Sequence, residues 1–393
     1  MEGVFHHGAR DDRLQIALGP APRANEPMSV RMTDSVRPEI RSLQPYVPGK
    51  PVEELERELG IAGAAKLASN ENPLGPSPLA IAAMQAAIHG VNRYPDGGSF
   101  YLREALASAW GMPFESIAVG SGSNDLIDVI CRIHLGPGDE AIMSHPAFVM
   151  FAVAVNVAGG TLVRVPGKQM VHDPPAMLAA ITDKTRLVYF SNPDNPTGTI
   201  VRRRAMDDYF RHVPEQIVTI LDEAYFEYVD DPDYPDGLEY LRRGHRVAVL
   251  RTFSKVYALA GLRVGYGFFP PDLAGLVHRV RLPFNVTSVA QAAAQASLQD
   301  SEQISRSRAL VREGLDLFHA EIPPLGIELT PSWTNFVLAR FPRSSVDAAR
   351  SLERQGVIIR PMTSFGLPPE YARISIGSGL ENERLIEALR RLA

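Results

Sequence analysis

The fold and chemistry of this chain are indicated first by one segment, Arg246-Val247-Ala248-Val249-Leu250-Arg251-Thr252-Phe253-Ser254-Lys255. Its apolar first half predicts a short strand, so Lys255 lies just beyond a strand end, beside the hydroxyls of Thr252 and Ser254. Arg263 lies eight residues after Lys255. A primary amine and a guanidinium in this arrangement suit an enzyme that binds an aldehyde cofactor as an imine and holds its phosphate. A lysine after a strand is equally consistent with a solvated loop, so this segment alone leaves both interpretations open.

The composition excludes several classes of protein. A formal net charge of -5 over 393 residues argues against a surface that binds nucleic acid or an anionic membrane. The single cysteine, Cys131, excludes an internal disulfide and a cysteine-built metal site, so we expect no metal and a cytoplasmic location. Residues 1–30 hold several prolines and no apolar run long enough for a signal peptide or membrane span. We expect a disordered N-terminal extension there, or an early start codon with Met28 or Met32 as the true start.

The middle of the chain alternates strand-like and helix-like runs, which predicts an α/β fold with a mostly parallel sheet. Strand-like runs at residues 115–119, 140–143, 186–190 and 217–221 each lead into a polar or glycine-rich loop. Ligands of such sheets bind beyond the carboxyl ends of the strands, so we expect these loops to converge on one crevice. After about residue 300 the pattern becomes α+β. We therefore predict a large domain of residues 75–295 and a smaller α+β domain of residues 31–74 and 296–393.

Asp222 closes an apolar strand 33 positions before Lys255. A carboxylate there is either a buried counter-ion or a strand-terminal cap. If the cofactor is pyridoxal phosphate, Asp222 pairs with the ring nitrogen and keeps it protonated, so that the ring absorbs electrons from the substrate Cα. Tyr225 and Asn195 are then placed to donate hydrogen bonds to the ring oxygen.

The turn at residues 120–124, Gly-Ser-Gly-Ser-Asn, presents backbone N–H groups at a predicted helix start, which favours a phosphate. It departs from the dinucleotide-binding G-x-G-x-x-G pattern because Asp125 stands where the third glycine belongs, and it is not a Walker loop. Many such turns only connect a strand to a helix. Phe148 offers a flat face for stacking on a pyridine ring, although an aromatic residue after a strand is also common in a core.

Seven segments occur together in a characteristic order: residues 67–73 (Leu-Ala-Ser-Asn-Glu-Asn-Pro), 93–97 (Arg-Tyr-Pro-Asp-Gly), the glycine-serine turn, 192–198 (Asn-Pro-Asp-Asn-Pro-Thr-Gly), 222–225 (Asp-Glu-Ala-Tyr), 254–263, and 373–377 (Arg-Ile-Ser-Ile-Gly). Over roughly residues 40–393 the chain resembles the fold-type I pyridoxal-phosphate aminotransferases, most closely the histidinol-phosphate aminotransferase group. The resemblance implies a seven-stranded, mostly parallel sheet between helices, with a smaller α+β domain.

The resemblance also implies roles for individual residues. Lys255 would be the Schiff-base lysine and proton shuttle, and Asp222 the partner of the pyridine nitrogen. The remaining cofactor contacts would be Tyr225 and Asn195 on the ring oxygen, Phe148 on the ring face, Gly122, Ser123, Asn124, Thr252, Ser254 and Arg263 on the phosphate, and Tyr94 from the partner subunit. Substrate contacts would be Arg373, with Arg360 as a second anion contact, Tyr46, Asn195, and Tyr94 reaching across from the partner subunit of a homodimer. We also expect the Asn195–Pro196 bond to be cis, as in the family.

The implied activity is amino transfer between histidinol phosphate or imidazole-acetol phosphate and glutamate or 2-oxoglutarate, a step of histidine biosynthesis. Two departures from the group pattern leave an aromatic amino acid aminotransferase as an alternative function. The stacking residue, often tyrosine in this group, is Phe148, and Ser364-Phe365-Gly366 replaces the usual Gly-Tyr-Gly near the end of the chain. An amino-acid-phosphate decarboxylase of similar fold is a further alternative. A non-enzymatic cofactor-sensing regulator would need a DNA-binding domain, for which the first 40 residues are too short and proline-rich.

Overall fold

The structure is a computed structural model that describes residues 32–41, 43, 45 and 49–392. The expectations for residues 1–30 and for Tyr46 therefore fall outside the described residues. Two compact units are distinguished, residues 1–42 and 43–393. In the first, the described part contains a short 3-10 helix (Met32–Ser35) and a short α-helix, α1 (Pro38–Arg41).

The strands are β1 (Ala65–Lys66), β2 (Ile117–Gly120), β3 (Glu140–His145), β4 (Thr161–Pro166), β5 (Thr185–Ser191), β6 (Val218–Asp222), β7 (Val247–Thr252), β8 (Gly265–Phe268), β9 (Glu328–Leu329), β10 (Phe336–Arg340), β11 (Val357–Ile358), β12 (Arg360–Pro361) and β13 (Tyr371–Ser375). The helices are α2 (Val52–Leu59), α3 (Pro78–Ala87), α4 (Phe100–Trp110), α5 (Ser123–His134), α6 (Val149–Ala158), α7 (Pro174–Ala179), α8 (Arg203–His212), α9 (Gly237–Arg242), α10 (Pro271–Val280), α11 (Ser288–Ser297), α12 (Ser301–Glu321), α13 (Ser345–Glu353) and α14 (Gly379–Arg390).

The central sheet has seven strands in the order β2-β8-β7-β6-β5-β3-β4. Strands β3 to β7 run parallel, and β8 is antiparallel to both of its neighbours. This confirms the expected mostly parallel, seven-stranded α/β sheet. Because β5, β6 and β7 run parallel, their carboxyl ends lie at the same edge of the sheet, where their loops meet.

Both faces of this sheet are buried. Alternate residues of one strand enter different apolar clusters: Val188 of β5 packs in one cluster, and its neighbours Leu187 and Tyr189 pack in the other. The side chains of a strand alternate between the two faces of the sheet. Because helices cover both faces, successive strand residues are all buried, and this explains the continuous apolar runs in the sequence.

The C-terminal part builds a separate four-stranded antiparallel sheet, β12-β13-β10-β9, and β1 pairs with β11 in a parallel ladder. The residues from the start of the chain and from its end thus share one apolar cluster, which contains Leu67 and Ile374. The domain boundaries at residues 75 and 295 stay a prediction. In the described residues, no helix is both long enough and apolar enough to cross a membrane.

One backbone prediction is wrong. The cis peptide bonds are His145–Pro146 and Asn192–Pro193, and Asn195–Pro196 is not among them. Residues 192–198 contain two Asn-Pro pairs that look alike as sequence. Only their tertiary contacts differ: the Asn192 backbone donates to the Asp222 carbonyl (2.9 Å), and the Asn195 backbone donates to Ser191 Oγ (3.3 Å).

Candidate active site

A cavity of about 390 Å³ opens at the carboxyl ends of the parallel strands. The structure brings eleven of the sequence-predicted residues into its lining: Gly122, Ser123, Asn124, Phe148, Asn195, Asp222, Tyr225, Thr252, Ser254, Lys255 and Arg263. They come from five separate loops, which the parallel sheet gathers at one edge. The roles assigned to them remain predictions.

Lys255 lies three residues beyond β7 and is partly accessible from the cavity. Its Nζ donates a hydrogen bond to the Asn70 carbonyl oxygen (3.2 Å) and lies 5.7 Å from the centre of the Tyr225 ring. Burial lowers the pKa of Lys255 to about 8, and the positive charges of Arg373 and Arg263 act in the same direction. A much larger fraction of the Lys255 amine is therefore uncharged near neutral pH than in an ordinary lysine, which suits a nucleophile or a general base.

Asp222 is the last residue of β6 and is almost completely buried. Tyr189 Oη donates to Asp222 Oδ2 (2.9 Å), and the Ala224 backbone N–H donates to Oδ1 (3.2 Å). Burial raises the pKa of Asp222 to about 6, although these two hydrogen bonds oppose the rise. A buried carboxylate whose direct donors carry no charge is well suited to bind a cationic ligand group.

Another part of the cavity lining presents hydrogen-bond donors that suit an anion. Helix α5 begins at Ser123, and Gly122 caps it with a positive φ of 86° and without a side-chain cap, so its first N–H groups face the cavity edge. A Cβ at Gly122 would lie 2.6 Å from Arg263 Nη2, and one at Gly265 would lie 2.4 Å from the Ser123 backbone nitrogen. Glycine is thus required for this close approach of backbone and guanidinium. Asp125 occupies the third-glycine position because its Oδ2 accepts the Ser121 N–H (2.8 Å).

Hydroxyl groups complete this anion-binding region. Thr252 Oγ1 donates to Ser254 Oγ (3.0 Å) and accepts the Ser254 backbone N–H (3.1 Å). Helix N–H groups, two hydroxyls and the Arg263 guanidinium together form the set of donors that a phosphate requires. The residues present therefore fit the phosphate, the ring nitrogen and the aldehyde of pyridoxal phosphate.

Arg373 lies on β13 and is buried beside the cavity. Its guanidinium donates to Asn195 Oδ1 (2.6 Å) and to the Ala68 carbonyl (2.8 Å). The Asn195 amide is thereby oriented with its Nδ2 donor away from Arg373. Arg360 is the register partner of Arg373 on β12, so two arginines lie side by side, but Arg360 does not line the cavity.

Arg373 and Arg360 lie outside the cavity lining, and Tyr94 is not brought to the cavity within a single chain. Tyr94 is 83% exposed and stacks on Phe284, with ring centres 4.7 Å apart. Tyr46 lies outside the described residues. The eleven predicted residues that line the cavity thus come from one chain, and Tyr94, which was also predicted to contact the cofactor, lies on the surface of that chain.

Two buried residues of the site, Asn70 and Tyr189, were not predicted from the sequence. Asn70, at a positive φ of 54°, donates through Nδ2 to Tyr225 Oη (2.9 Å) and accepts from Ser375 Oγ (3.0 Å). Tyr189 donates to Asp222. Asn70 lies within a segment that the sequence had marked by its Asn-Glu-Asn-Pro motif, but no local pattern assigns its partners. Tyr189 reads as an ordinary apolar strand residue, so the sequence contains no sign of its hydrogen bond.

Comparison with known proteins gives consistent results. The family described as "Aminotransferase class I and II" matches residues 63–392. A histidinol-phosphate aminotransferase of Moorella thermoacetica is 44% identical over 357 residues, which span 91% of this chain and 92% of that protein. Another from Anaeromyxobacter sp. is 47% identical over 359 residues, 91% of this chain and 98% of that protein. The crystal structure of histidinol-phosphate aminotransferase from Sinorhizobium meliloti in complex with pyridoxal-5'-phosphate matches with a TM-score of 0.83 and 31% identity, over 93% of this chain and all of that one.

Proposed function

This chain belongs to the class I and II aminotransferases, and from that premise we propose that it is a pyridoxal-phosphate-dependent histidinol-phosphate aminotransferase. It exchanges an amino group between histidinol phosphate or imidazole-acetol phosphate and glutamate or 2-oxoglutarate. The observation that carries the proposal is the arrangement of Lys255 and Asp222 in one cavity, with the Arg373 guanidinium held beside it by Asn195. The histidinol-phosphate aminotransferases that are 43–47% identical to this chain support the choice of donor.

The cavity residues divide the binding of the cofactor among them. Pyridoxal phosphate, when bound, supplies an aldehyde that reacts with amines and a ring that withdraws electrons from the substrate Cα. Asp222 binds the ring nitrogen and keeps it protonated, and Phe148 covers a ring face. Burial raises the pKa of Tyr225 to about 12, so its hydroxyl stays protonated and would donate a hydrogen bond to the ring oxygen. The Asn195 amide would donate a second hydrogen bond to the same oxygen. The α5 N-terminus, Thr252, Ser254 and Arg263 hold the phosphate.

Lys255 performs two tasks in the proposed reaction. Its amine would hold the cofactor covalently, and when it is not so engaged, Nζ would accept the proton of the substrate Cα and release it again. A pKa near 8 suits this exchange, because the same atom must both accept and release a proton near neutral pH. Arg373 binds the anionic end of the substrate, and the neighbouring Arg360 adds positive charge.

We also propose a homodimer in the cytoplasm with shared active sites. Exposed aromatic side chains cluster where residues 94–101 lie against residues 281–291: Tyr94, Phe100, Tyr101 and Phe284. A patch of this kind is typical of a protein interface. In such a dimer Tyr94 would reach the partner's cavity, and its exposure in one chain supports this role.

An aromatic amino acid aminotransferase is the second candidate, and one contact favours it. Phe365 is buried, and its ring centre lies 5.9 Å from Arg373 Cζ, so an apolar surface adjoins the proposed anion contact. An aromatic side chain would pack well beside this surface, whereas a phosphate would gain no hydrogen bond from it.

A panel of amine donors tests the proposal. We expect kcat/KM for histidinol phosphate, with 2-oxoglutarate as acceptor, to exceed the values for phenylalanine, tyrosine and aspartate. A higher value for phenylalanine or tyrosine would replace our proposal with the aromatic aminotransferase. Stoichiometric release of carbon dioxide without a keto product would instead identify a decarboxylase.

A further inference from the structure

Tyr189 is a completely buried tyrosine in the central sheet, on β5. Its ring stacks on Phe151 with centres 4.4 Å apart and planes only 11° from parallel. Its hydroxyl does not reach solvent and donates to Asp222 Oδ2 at 2.9 Å. A tyrosine hydroxyl in such a core costs desolvation energy unless it is hydrogen-bonded, so this contact explains the hydroxyl's presence.

The register of the sheet brings the two side chains together. Ser191 of β5 is the partner of Asp222 in β6, and Tyr189 precedes Ser191 by two residues, on the same face. The long tyrosine side chain therefore extends along the strand toward the carboxyl edge and ends at the carboxylate. The Ala224 N–H holds the other oxygen at 3.2 Å, so Asp222 is held from both sides.

We propose that Tyr189 is a positioning residue for Asp222: its hydroxyl fixes the orientation of the carboxylate and favours the ionised form that binds the pyridine nitrogen. This inference rests on the proposed function, because it assigns the cofactor ring to Asp222. Tyr189 itself does not line the cavity and acts only through Asp222.

The charges around Asp222 show why this hydroxyl is needed. Burial raises the pKa of Asp222 to about 6, and the negative charge of Asp194 adds to the rise. The opposing influences are the Tyr189 hydrogen bond, the Ala224 N–H and the charge of Lys255. Removal of the hydroxyl raises the pKa of Asp222 further, toward neutral pH, and a protonated Asp222 has no charge with which to hold a protonated ring nitrogen.

The test compares two tyrosine-to-phenylalanine variants by their binding of pyridoxamine 5'-phosphate, which forms no covalent bond with Lys255. Tyr189→Phe keeps the ring that stacks on Phe151. Tyr209→Phe is the matched control, because Tyr209 is equally buried and its hydroxyl is hydrogen-bonded to Thr219 (3.0 Å). Dissociation constants are measured by calorimetry from pH 5.5 to 8.5, with circular dichroism to check folding.

We expect Tyr189→Phe to weaken binding about tenfold at pH 7, as for loss of a hydrogen bond to a charged group, and to shift the acidic loss of affinity to higher pH. Tyr209→Phe should retain wild-type affinity and pH dependence. Equal behaviour of the two variants would overturn the inference and leave the proposed function standing. A wild-type protein that bound no pyridoxamine phosphate would overturn both.

A second measurement uses Asp222→Asn. Because an amide cannot ionise, Tyr189→Phe should cost much less affinity in the Asp222→Asn background than in the wild type. Losses that simply add in the double variant would show that Tyr189 acts independently of Asp222, and the inference would fail.

Discussion

Asp222 and Glu223 are consecutive buried carboxylates at the end of β6, and their surroundings differ. Successive side chains point to opposite faces. Glu223 accepts two hydrogen bonds from Arg251, from Nε at 3.0 Å and Nη2 at 2.8 Å, and a third from the Gly237 N–H at 2.7 Å. Asp222 faces the cavity and accepts from Tyr189 and the Ala224 N–H, which carry no charge.

The Glu223 carboxylate stabilises the fold through its ion pair with Arg251, whereas the Asp222 carboxylate is available to bind a ligand. Burial alone would lower the pKa of Arg251, but Glu223 and Asp236 more than offset this, so the Arg251 pKa is raised. Glu223 therefore has its cation within the protein. Asp222 still needs a cation, and the proposed cofactor ring brings one.

Replacing Lys255 with Ala should reduce turnover by about 10²–10⁴-fold or more, because general acid–base help from the amine is lost together with the covalent attachment point. Single-turnover kinetics with histidinol phosphate measure the loss. Lys184→Ala, at an exposed lysine, is the control and should retain wild-type rates. Near-normal turnover in the Lys255 variant would mean that the cavity is not the reaction site.

Replacing Arg251 with Met should destabilise the fold by about 3–5 kcal/mol, because Glu223 then remains as a buried carboxylate without its cation. Methionine keeps apolar contact with the rings of Trp110 and Phe226, which lie 4.2 and 3.6 Å from Arg251 Cζ. Urea unfolding measures the change. Arg340→Met, which breaks the exposed pair with Glu328, should change stability by less than about 1 kcal/mol. Equal losses would contradict the contrast between the two regions.

Asp222→Asn should have opposite effects on activity and on stability. Turnover should fall roughly 10–100-fold, since a charge-assisted hydrogen bond to the ring is lost. Burial raises the pKa of Asp222 from 3.8 to about 6, so the folded cofactor-free protein binds this proton more tightly than the unfolded chain. The carboxylate thus costs stability as the pH rises from about 4 to about 6, and the cost is constant above that.

The Asn variant avoids this cost. Without cofactor it should match the wild type below about pH 4 and exceed it by about 1–3 kcal/mol above about pH 6. Urea unfolding across that pH range measures the difference. A cofactor-free variant less stable than the wild type at pH 7 would assign Asp222 a structural role like that of Glu223.

Arg373→Ala should give the smallest of these effects, a rise of about tenfold in KM for histidinol phosphate, from loss of a charge-assisted contact with its phosphate. Amine donors that carry no anionic group should be nearly insensitive. Arg340→Ala, an exposed arginine in the same small sheet, is the matched control. Unchanged histidinol phosphate kinetics with crippled phenylalanine turnover would assign Arg373 to an amino-acid carboxylate.

Most of the cavity lining was predictable because it depends on local order along the chain. Asp222, Lys255 and the loop that begins at Gly120 each follow an apolar strand, and parallel strands place such loops at one edge. Contacts between distant segments were not predictable. Asn70 and Tyr225 are 155 positions apart, and their hydrogen bond depends on how β1 and β13 pack beside the large sheet.

The α/β class and the residues that follow each strand were predictable because strand periodicity and loop composition are local properties, and the cofactor was implied by the resemblance of the ordered motifs to the aminotransferases. The tertiary structure set three features that the sequence did not show: the cis bond at Asn192–Pro193 rather than Asn195–Pro196, the hydrogen bond from Tyr189 to Asp222, and the exposure of Tyr94. Each of these depends on strand register or on packing between segments far apart in the chain. Such contacts leave no periodic pattern, since a buried tyrosine that donates a hydrogen bond and one that only packs occupy the same position in an apolar strand.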